Sequence, residues 1–427
     1  MNSSIDKWFA PYLDLQERLA DKYATVVSRF PNAFYALENE VRIYEAQRDN
    51  FERVVWRNFG RKTNTKSRRS FFLSKFSSIS ERHAEKPTFV CEVGRVRQVG
   101  DAVSNFLISQ GFESFRPKNF SVEACSLTDI ATCGIPYDLL ANSIFPNFEN
   151  LTKNKPLMTK LEKIVSKNID ELVKLMTRSD LRIIVTHVCH NLAGRLIARA
   201  AKKANVMVVE IAHGFTMSPC LISVAPIEVD LQVVWTQRLA SRIQSVLPVE
   251  DRSRVRSFGF LKASIRTVPK STALVLIDPI SRKNLWERQK YLRILDRLVS
   301  AFQSLNLSVV LRLHPSETER QNSTAVDLNS RFGLAASTNT LESDLVDATI
   351  VAGSQSSVLV EAVYNGIPAM QITELAIGLC DGSHMIDEDA ITPENIANVI
   401  SSPLDKPLPF CIESFKNALS SGLKCRT

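Results

Sequence analysis

Three short stretches of the sequence combine residue types that can hold an anion or move a proton, and each directly follows an apolar run. The first is Ile211-Ala212-His213-Gly214-Phe215. Gly214 lets the backbone turn sharply and present His213, whose ordinary pKa near ~6.5 suits a general base or a donor-positioning group. A satisfied structural histidine is the alternative there. The second is Arg312-Leu313-His314-Pro315. Pro315 fixes φ and ends the strand, leaving the His314 ring at a sheet edge, where it can donate to a phosphate or a leaving oxygen. An ordinary strand-ending turn is the alternative. The third is Gly353-Ser354-Gln355-Ser356-Ser357, leading into a helix. Glycine and three serines at a helix start supply N–H groups, hydroxyls and a positive dipole end, a good anion site. A simple N-cap would use the same serine. The run has neither the Gly-Lys-Ser/Thr of the nucleoside-triphosphatase loop nor the Gly-x-Gly-x-x-Gly dinucleotide fingerprint, which argues against both classes.

These stretches need rigid strands beneath them, and the pattern supplies strands. Residues 1–56 read as helix broken at Pro31, with Trp8, Tyr12, Leu15, Leu19 and Tyr23 recurring at three- and four-residue steps, and 62–69 read as a loop. A strand is expected over Thr88–Val93, then a helix over Asp101–Gln110, while 112–150 shows no regular pattern. From 156 onward helices (156–177, 191–204) alternate with strands (181–186, 206–211, 231–235). After Gly259 and a polar stretch the pattern restarts. Strands are expected at 273–277, 308–313, 348–352 and 368–372, with a weaker one at 332–336. Helices are expected at 284–304, 340–346, after Ser357 to Asn365, and last at 393–401. Such alternation predicts an α/β chain with two Rossmann-like parallel-sheet domains facing a cleft and an N-terminal helical extension. The expected divisions are 1–80, 81–262 (acceptor domain) and 263–427 (donor domain).

At 427 residues, 44% hydrophobic and 23% charged, the chain has ordinary globular usage; disorder, collagen and coiled-coil rods are poorly supported. No run approaches the ~20 apolar residues of a membrane span, and the start lacks a secretory signal pattern, so a cytoplasmic protein is expected. The eight cysteines are scattered with no Cys-x-x-Cys pair, which suits reduced buried thiols better than zinc or redox chemistry. Charge is unevenly spread. Arg53, Arg57, Arg61, Lys62, Lys66, Arg68, Arg69 and Lys75 cluster without an acid, and with them set aside 45 basic residues balance 45 acidic ones. Trp56, Phe59, Phe71, Phe72 and Phe76 interleave. Cations with aromatics suit an anionic bilayer surface; a nucleic-acid backbone and a plain solvated loop are the other readings.

Taken in order, the motifs resemble the donor domain of GT-B glycosyltransferases. The closest pattern is in bacterial surface-polysaccharide enzymes that carry an HP motif followed by a serine-rich motif: sialyl- and polysialyltransferases, the Kdo transferases of capsule assembly, and CDP-glycerol glycerophosphotransferases. His314-Pro315 and Ser356-Ser357 match that layout, with Gly366-Ile367-Pro368 closing the helix. The His213-Gly214 turn is similar to that of the Kdo and CDP-glycerol enzymes. Sialyltransferases of this layout carry acidic residues before that glycine, whereas this chain has Ala212-His213. Either His213 is the base or the donor is not CMP-sialic acid. The resemblance covers roughly residues 181–372.

The resemblance implies a nucleotide-sugar donor as substrate, CMP- or CDP-linked, with no cofactor. Its phosphate would be held by His314, with Pro315 fixing the turn, and by Gly353, Ser354, Ser356, Ser357 and the helix start. Such stabilisation of a departing phosphate needs no metal, and none is expected. Glu361, one turn into the helix, would bind ribose hydroxyls or lie at the surface; Glu92 and Asp278 are second-choice acids. Arg57, Arg61, Lys62, Arg68 and Arg69 would hold the enzyme peripherally on the inner face of the cytoplasmic membrane, near a glycan or lipid-linked acceptor. Besides a CDP-glycerol-type polyol-phosphate transferase and a glycosyltransferase-like subunit without catalysis, which retention of the His and Ser motifs speaks against, two readings of other classes remain: a UDP-N-acetylglucosamine 2-epimerase-like enzyme, which also has two such domains, and a nucleic-acid-binding protein acting through residues 53–80. The neutral remainder of the chain speaks against the second.

Overall fold

A computed structural model of the chain describes residues 21–35, 86–92, 97–114, 155–187, 192–212, 228–245, 247–260, 262, 265, 267–278, 285–314, 323–334, 336–354, 356–373 and 380–424. Two compact units emerge. Among the described residues, the first takes everything up to 212, then 228–258 and 411–424; the second takes 259–410.

The first unit carries a six-stranded sheet, every pairing parallel, in the order β2-β1-β3-β4-β5-β6. Its strands are β1 (Thr88–Glu92), β2 (Glu113–Ser114), β3 (Leu181–Thr186), β4 (Met207–Ile211), β5 (Leu231–Val234) and β6 (Val255–Ser257). Its helices are α1 (Arg97–Ser109), α2 (Lys155–Arg178), α3 (Leu192–Lys203) and α4 (Gln237–Ser245). β4 and β5 are buried at every position, which explains why they read as unbroken apolar runs. Helices α2 and α3 each hand over to their strands through a residue with positive φ, Asp180 at 46° and Asn205 at 57°. Asp and Asn tolerate that left-handed step, so each helix stops cleanly and the next strand starts in register.

The second unit holds a five-stranded parallel sheet in the order β11-β10-β9-β7-β8. Its strands are β7 (Thr272–Ile277), β8 (Ser308–Leu313), β9 (Ala348–Gly353), β10 (Ala369–Ile372) and β11 (His384–Ile386). Helices α5 (Leu285–Ser304), α6 (Ser323–Phe332), α7 (Leu341–Asp347), α8 (Ser357–Tyr364) and α9 (Pro393–Ser401) connect or flank them. Tyr291, Ile294, Leu298 and Phe302 on one face of α5 pack on Ala273, Val275, Leu311 and Ile350, and Asn306 at φ 57° repeats the helix-to-strand device. The α/β class and both parallel sheets are therefore as expected.

Several boundaries differ from the expected ones. The first unit extends only to Phe258, and the last helix, α10 (Ile412–Lys424), belongs to it and not to the second domain, with Phe415 and Leu419 fully buried. Strands β2, β6 and β11 and helices α4, α6 and α10 depart from the expected pattern, so 393–401 is not the final helix. The weak strand near 332–336 reduces to one bridge between Leu311 and Ala336. Residues 21–35 are helical, as read, but pack into the first unit. Glu162 of α2 accepts from the Asn32 and Ala33 amides at 3.0 and 2.7 Å, and buried Arg195 of α3 donates from Nε to the Tyr35 carbonyl at 2.9 Å. Among the described residues no helix is long and apolar enough to cross a membrane.

Candidate functional site

In the second sheet β7 lies between β8 and β9, so the chain leaves the first strand toward one edge and returns to build toward the other. Relative to β7 the order is 2-1-3-4-5, and in such sheets the crevice beyond the strand C-termini at the reversal is where ligands bind. The reversal falls between β7 and β9. Asp278 follows β7 directly, and Ser354 follows β9. Their side chains meet there: the Ser354 hydroxyl donates to Asp278 Oδ1 at 2.5 Å, both groups buried. The Asp278 amide donates to the hydroxyl of Tyr291 on α5 at 2.7 Å. Burial, and secondarily the Asp278 charge, push the Tyr291 phenol well above its ordinary range, so it stays a neutral hydroxyl.

Beyond Ser354 the chain enters α8. Ser356 is its N-cap, in extended conformation, and its hydroxyl oxygen accepts from the Val358 amide at 3.2 Å. Among the described residues its O–H donates to no acceptor. Ser357 opens the helix, half-buried. Gly353 closes β9 against Leu276 of β7, where an added Cβ would sit 3.1 Å from the Leu276 Cβ. The Ser354–Ser356 segment is held from the far side by Gln371 of β10. Its amide nitrogen donates to the Ser354 carbonyl at 2.7 Å, and its oxygen accepts from the Cys380 amide at 2.8 Å and the Ser383 hydroxyl at 3.3 Å. The Cys380 thiol in turn donates to the Ser356 carbonyl at 3.6 Å.

Glu361 points into the unit and forms an ion pair with Lys262. Burial holds its carboxyl above the usual carboxylate range, and the Lys262 charge and hydrogen bond oppose that rise. It is therefore an inward-facing acid and not a surface residue. His314 follows β8, adjacent to β7; its ring is exposed, and its amide donates to the Ile277 carbonyl at 3.2 Å. Arg312, two residues before it, is committed to Asp344 at 2.6 Å and serves structure.

Asp278, Gly353, Ser354, Ser356, Ser357 and Glu361 thus gather around the β7/β9 reversal and α8, with His314 at the end of the next strand. In the first unit Glu92 is the last residue of β1, in register with Thr186 at that sheet's own reversal, β1/β3. Glu210 is buried within β4 and accepts from Gln232 Nε2 at 3.1 Å, in keeping with a strand residue turned inward. The described part of β4's exit ends at Ala212, whose carbonyl accepts from the Trp235 indole at 2.7 Å. His213, Pro315, Arg57, Arg61, Lys62, Arg68 and Arg69 lie outside the described residues.

Gln371, Cys380, Ser383, Lys262 and Tyr291 were not foreseen. A glutamine inside the apolar strand Ala369–Ile372 is a readable signal, since a buried amide must find partners; Lys262 and Tyr291 leave no local trace. The chain also carries one Asp-x-Asp spacing, Asp387-Glu388-Asp389. Glu388 pairs with Arg293 at 2.6 Å, and Asp389 with Arg297 at 2.9 Å. The Arg293 hydrogen bond holds the Glu388 carboxyl below the usual range.

No protein-family model matches the sequence, and no curated protein matches it significantly. Solved structures do. The UDP-GlcNAc 2-epimerase of Methanocaldococcus jannaschii, in complex with UDP-GlcNAc and UDP, is 9% identical, with 78% of this chain and 99% of that one covered at a TM-score of 0.48. The UDP-N-acetylglucosamine 2-epimerase of Rickettsia bellii is 12% identical over 79% of this chain and 94% of that one, TM-score 0.43. The lipopolysaccharide outer core galactosyltransferase WaaB is 10% identical over 79% and 96%, TM-score 0.42.

Proposed function

We propose that the chain is a metal-independent glycosyltransferase that takes a sugar of the nonulosonic-acid or Kdo type from a nucleotide donor. The acceptor would be a cell-surface polysaccharide or its lipid-linked precursor. The observation that supports this is the polar β7/β9 reversal, where Asp278 and Ser354 fix the exit of β9 ahead of Ser356, Ser357 and the start of α8, which would form an anion cradle. The exposed His314 ring at the end of β8 supplies a further donor.

In this reading the phosphate of the nucleotide leaves with the electron pair of the anomeric C–O bond, and its growing charge is met by the Ser356 and Ser357 hydroxyls, the helix dipole and His314. The acceptor hydroxyl forms the new C–O bond and gives its proton to His213. Glu361, one turn into α8, would bind the ribose hydroxyls, for which its carboxyl would have to turn from Lys262 toward the ligand. The basic aromatic segment 53–80 keeps the enzyme at an anionic membrane surface.

Calorimetry without added metal tests the reading, with CMP, CDP, UDP and GDP titrated into wild type and His314→Ala. Micromolar binding of CMP or CDP, weakened about tenfold or more in the variant, is expected for roughly one charge-assisted hydrogen bond. A preference for UDP, with interconversion of UDP-N-acetylglucosamine at C2 in the absence of acceptor, replaces the transferase by the epimerase. Absence of nucleotide binding removes the donor site altogether.

A further inference from the structure

The first unit contains a second concave polar site, at the end of its sheet opposite the strand C-termini. A cavity of about 730 Å³ opens between α10 and the N-terminal ends of β4, β5 and β6. Its floor includes Met207 and Leu231, the first residues of β4 and β5, and its wall is the α10 face bearing Ser414, Asn417, Ala418, Ser421 and Gly422. That face recurs at three- and four-residue steps, so it is one stripe of the helix. The helix is pinned at both ends of the stripe. Near its start Phe415 packs on Phe258 with ring centroids 5.3 Å apart. Near its end it approaches β4 so closely that a Cβ on Gly422 would lie 2.5 Å from the Met207 methyl. Between those pins only small side chains face the strands, and the space stays open.

What projects into that space is cationic. Arg254 and Arg256 are two residues apart on the strand entering β6, so they share a side. Arg254 is tied to Asp251 at 3.1 Å. Arg256 spends only Nε, on the Ser253 carbonyl at 3.0 Å; among the described residues its two Nη groups make no hydrogen bond. The Asn417 carboxamide on α10 likewise makes none among them; the Ser421 hydroxyl donates to the Asn417 carbonyl at 2.9 Å and the Ser414 hydroxyl pairs with the Cys411 thiol at 3.1 Å, which leaves both oxygens lone pairs to accept from a ligand hydroxyl. The acid in the lining, Asp230, has its Oδ2 on the Val208 amide at 2.7 Å. A guanidinium with an unspent fork, facing a carboxamide and hydroxyls across a cavity of small-molecule size, matches a phosphate group attached to a hydroxylated body.

We propose that this cleft binds a phosphate ester, with Arg256 and Arg254 on the phosphate and Asn417, Ser414 and Ser421 on the hydroxyl-bearing part. The site is independent of the donor cradle, which lies in the other unit. Its ligand is either a soluble sugar phosphate or the headgroup of a phospholipid, and the test separates them.

The full chain is titrated with glucose 1-phosphate, with glucose as the uncharged control, and separately with vesicles of phosphatidylglycerol in phosphatidylcholine. Hydrogen–deuterium exchange locates the binding. The expected result is binding of the phosphate ester but not of glucose, at least tenfold weaker in Arg254→Gln/Arg256→Gln, with protection confined to peptides 251–257 and 412–424. Asn417→Asp, an exposed change that places a carboxylate in the cleft, weakens binding at least fivefold without touching either arginine. Binding confined to vesicles, and lost in the arginine double variant, assigns the same phosphate site to a lipid headgroup. Unchanged affinity in both variants, protection at 353–361 instead, or no binding of either probe overturns the proposal.

Discussion

Ser354 holds two buried groups, one through its hydroxyl and one through its backbone carbonyl. The hydroxyl donates to the Asp278 carboxyl, and the carbonyl carries the Gln371 amide. Ser354→Ala therefore removes the hydroxyl donor from the buried Asp278 Oδ1, which costs about 1–3 kcal/mol. Urea unfolding followed in the second unit should show a lower midpoint at unchanged slope. Lys262 makes a prediction with a sign. Burial raises the Glu361 carboxyl and Lys262 restrains that rise. A carboxylate whose folded pKa lies above its unfolded value takes stability away as pH climbs through that interval, so Lys262→Met must hurt most where Glu361 has to be charged. The loss should be about 2 kcal/mol near neutral pH, below the 3–5 typical of fully buried pairs because Lys262 is 35% exposed. It should shrink as pH falls toward the ordinary carboxylate range and Glu361 protonates. Thermal melts of Lys262→Met from pH 4 to 8, with Glu361→Gln in the same background recovering most of the loss, check both the sign and the cause.

At the scale of elements, Gln371 shows how one strand residue organises a loop. Its amide joins the exit of β9 to the turn at Cys380–Ser383, so the serine cradle is braced from β10 as well as from β7. Gln371→Leu keeps the volume but strands the Ser354 carbonyl and the Cys380 amide. A loss of about 2–3 kcal/mol is expected, and the nucleotide binding proposed above should show a raised Kd, because the serines lose their position and not their chemistry. Calorimetry on the variant, with folding checked by near-UV circular dichroism, reads both. The same elements show what local pattern carries. Strands β3 and β8 and helix α9 begin and end where their apolar periodicity does, since each is set by its own residues and a flanking turn. The three-residue strands β6 and β11 escaped because so short a run holds less than two periods of alternation. The order 2-1-3-4-5 was also beyond reach. Pairings such as β7 with β9 join residues that are distant along the chain, and nothing local in Thr272 or Ala348 names the other. Strand C-termini as the place for chemistry could be read in advance; that Asp278 and Ser354 would be neighbours there could not.

For the molecule as a whole, the decisive positions are where the chain passes between its two units. Among the described residues it leaves the first at Phe258/Gly259 and returns at Phe410/Cys411. Each side is stitched by its own hydrogen bond: the Cys411 amide donates to the Phe258 carbonyl at 2.6 Å in the first unit, and the Phe260 amide to the Leu408 carbonyl at 2.7 Å in the second. Gly259 makes that close pairing possible. Its φ is +100°, where side chains are rarely tolerated, and a Cβ would collide with the Pro409 carbonyl oxygen and lie 2.5 Å from its carbon. The obstacle is backbone, which cannot swing aside as a side chain would. The segment beyond is equally committed, with Phe260 stacked on Tyr364 at 4.2 Å and the Ile265 amide donating to Asn365 Oδ1 at 2.7 Å, so α8 anchors the connector with its last turn. Gly259→Ala should therefore cost more than the about 1 kcal/mol usual for a Gly-to-Ala change at an unfavourable φ, on the order of 3 kcal/mol. The loss should appear in the second unit, with the connector peptides and α8 exchanging amide hydrogens faster. Phe415→Ala is the counterpart. It empties a fully buried ring site beneath α10, and a cost of about 3–5 kcal/mol should fall on the first unit although the residue lies at the far end of the chain. Hydrogen exchange resolved by peptide decides between this division and one at 262/263: acceleration after Phe415→Ala across 207–258, with 272–313 unmoved, is the expected outcome, and the reverse pattern would place α10 with the second sheet.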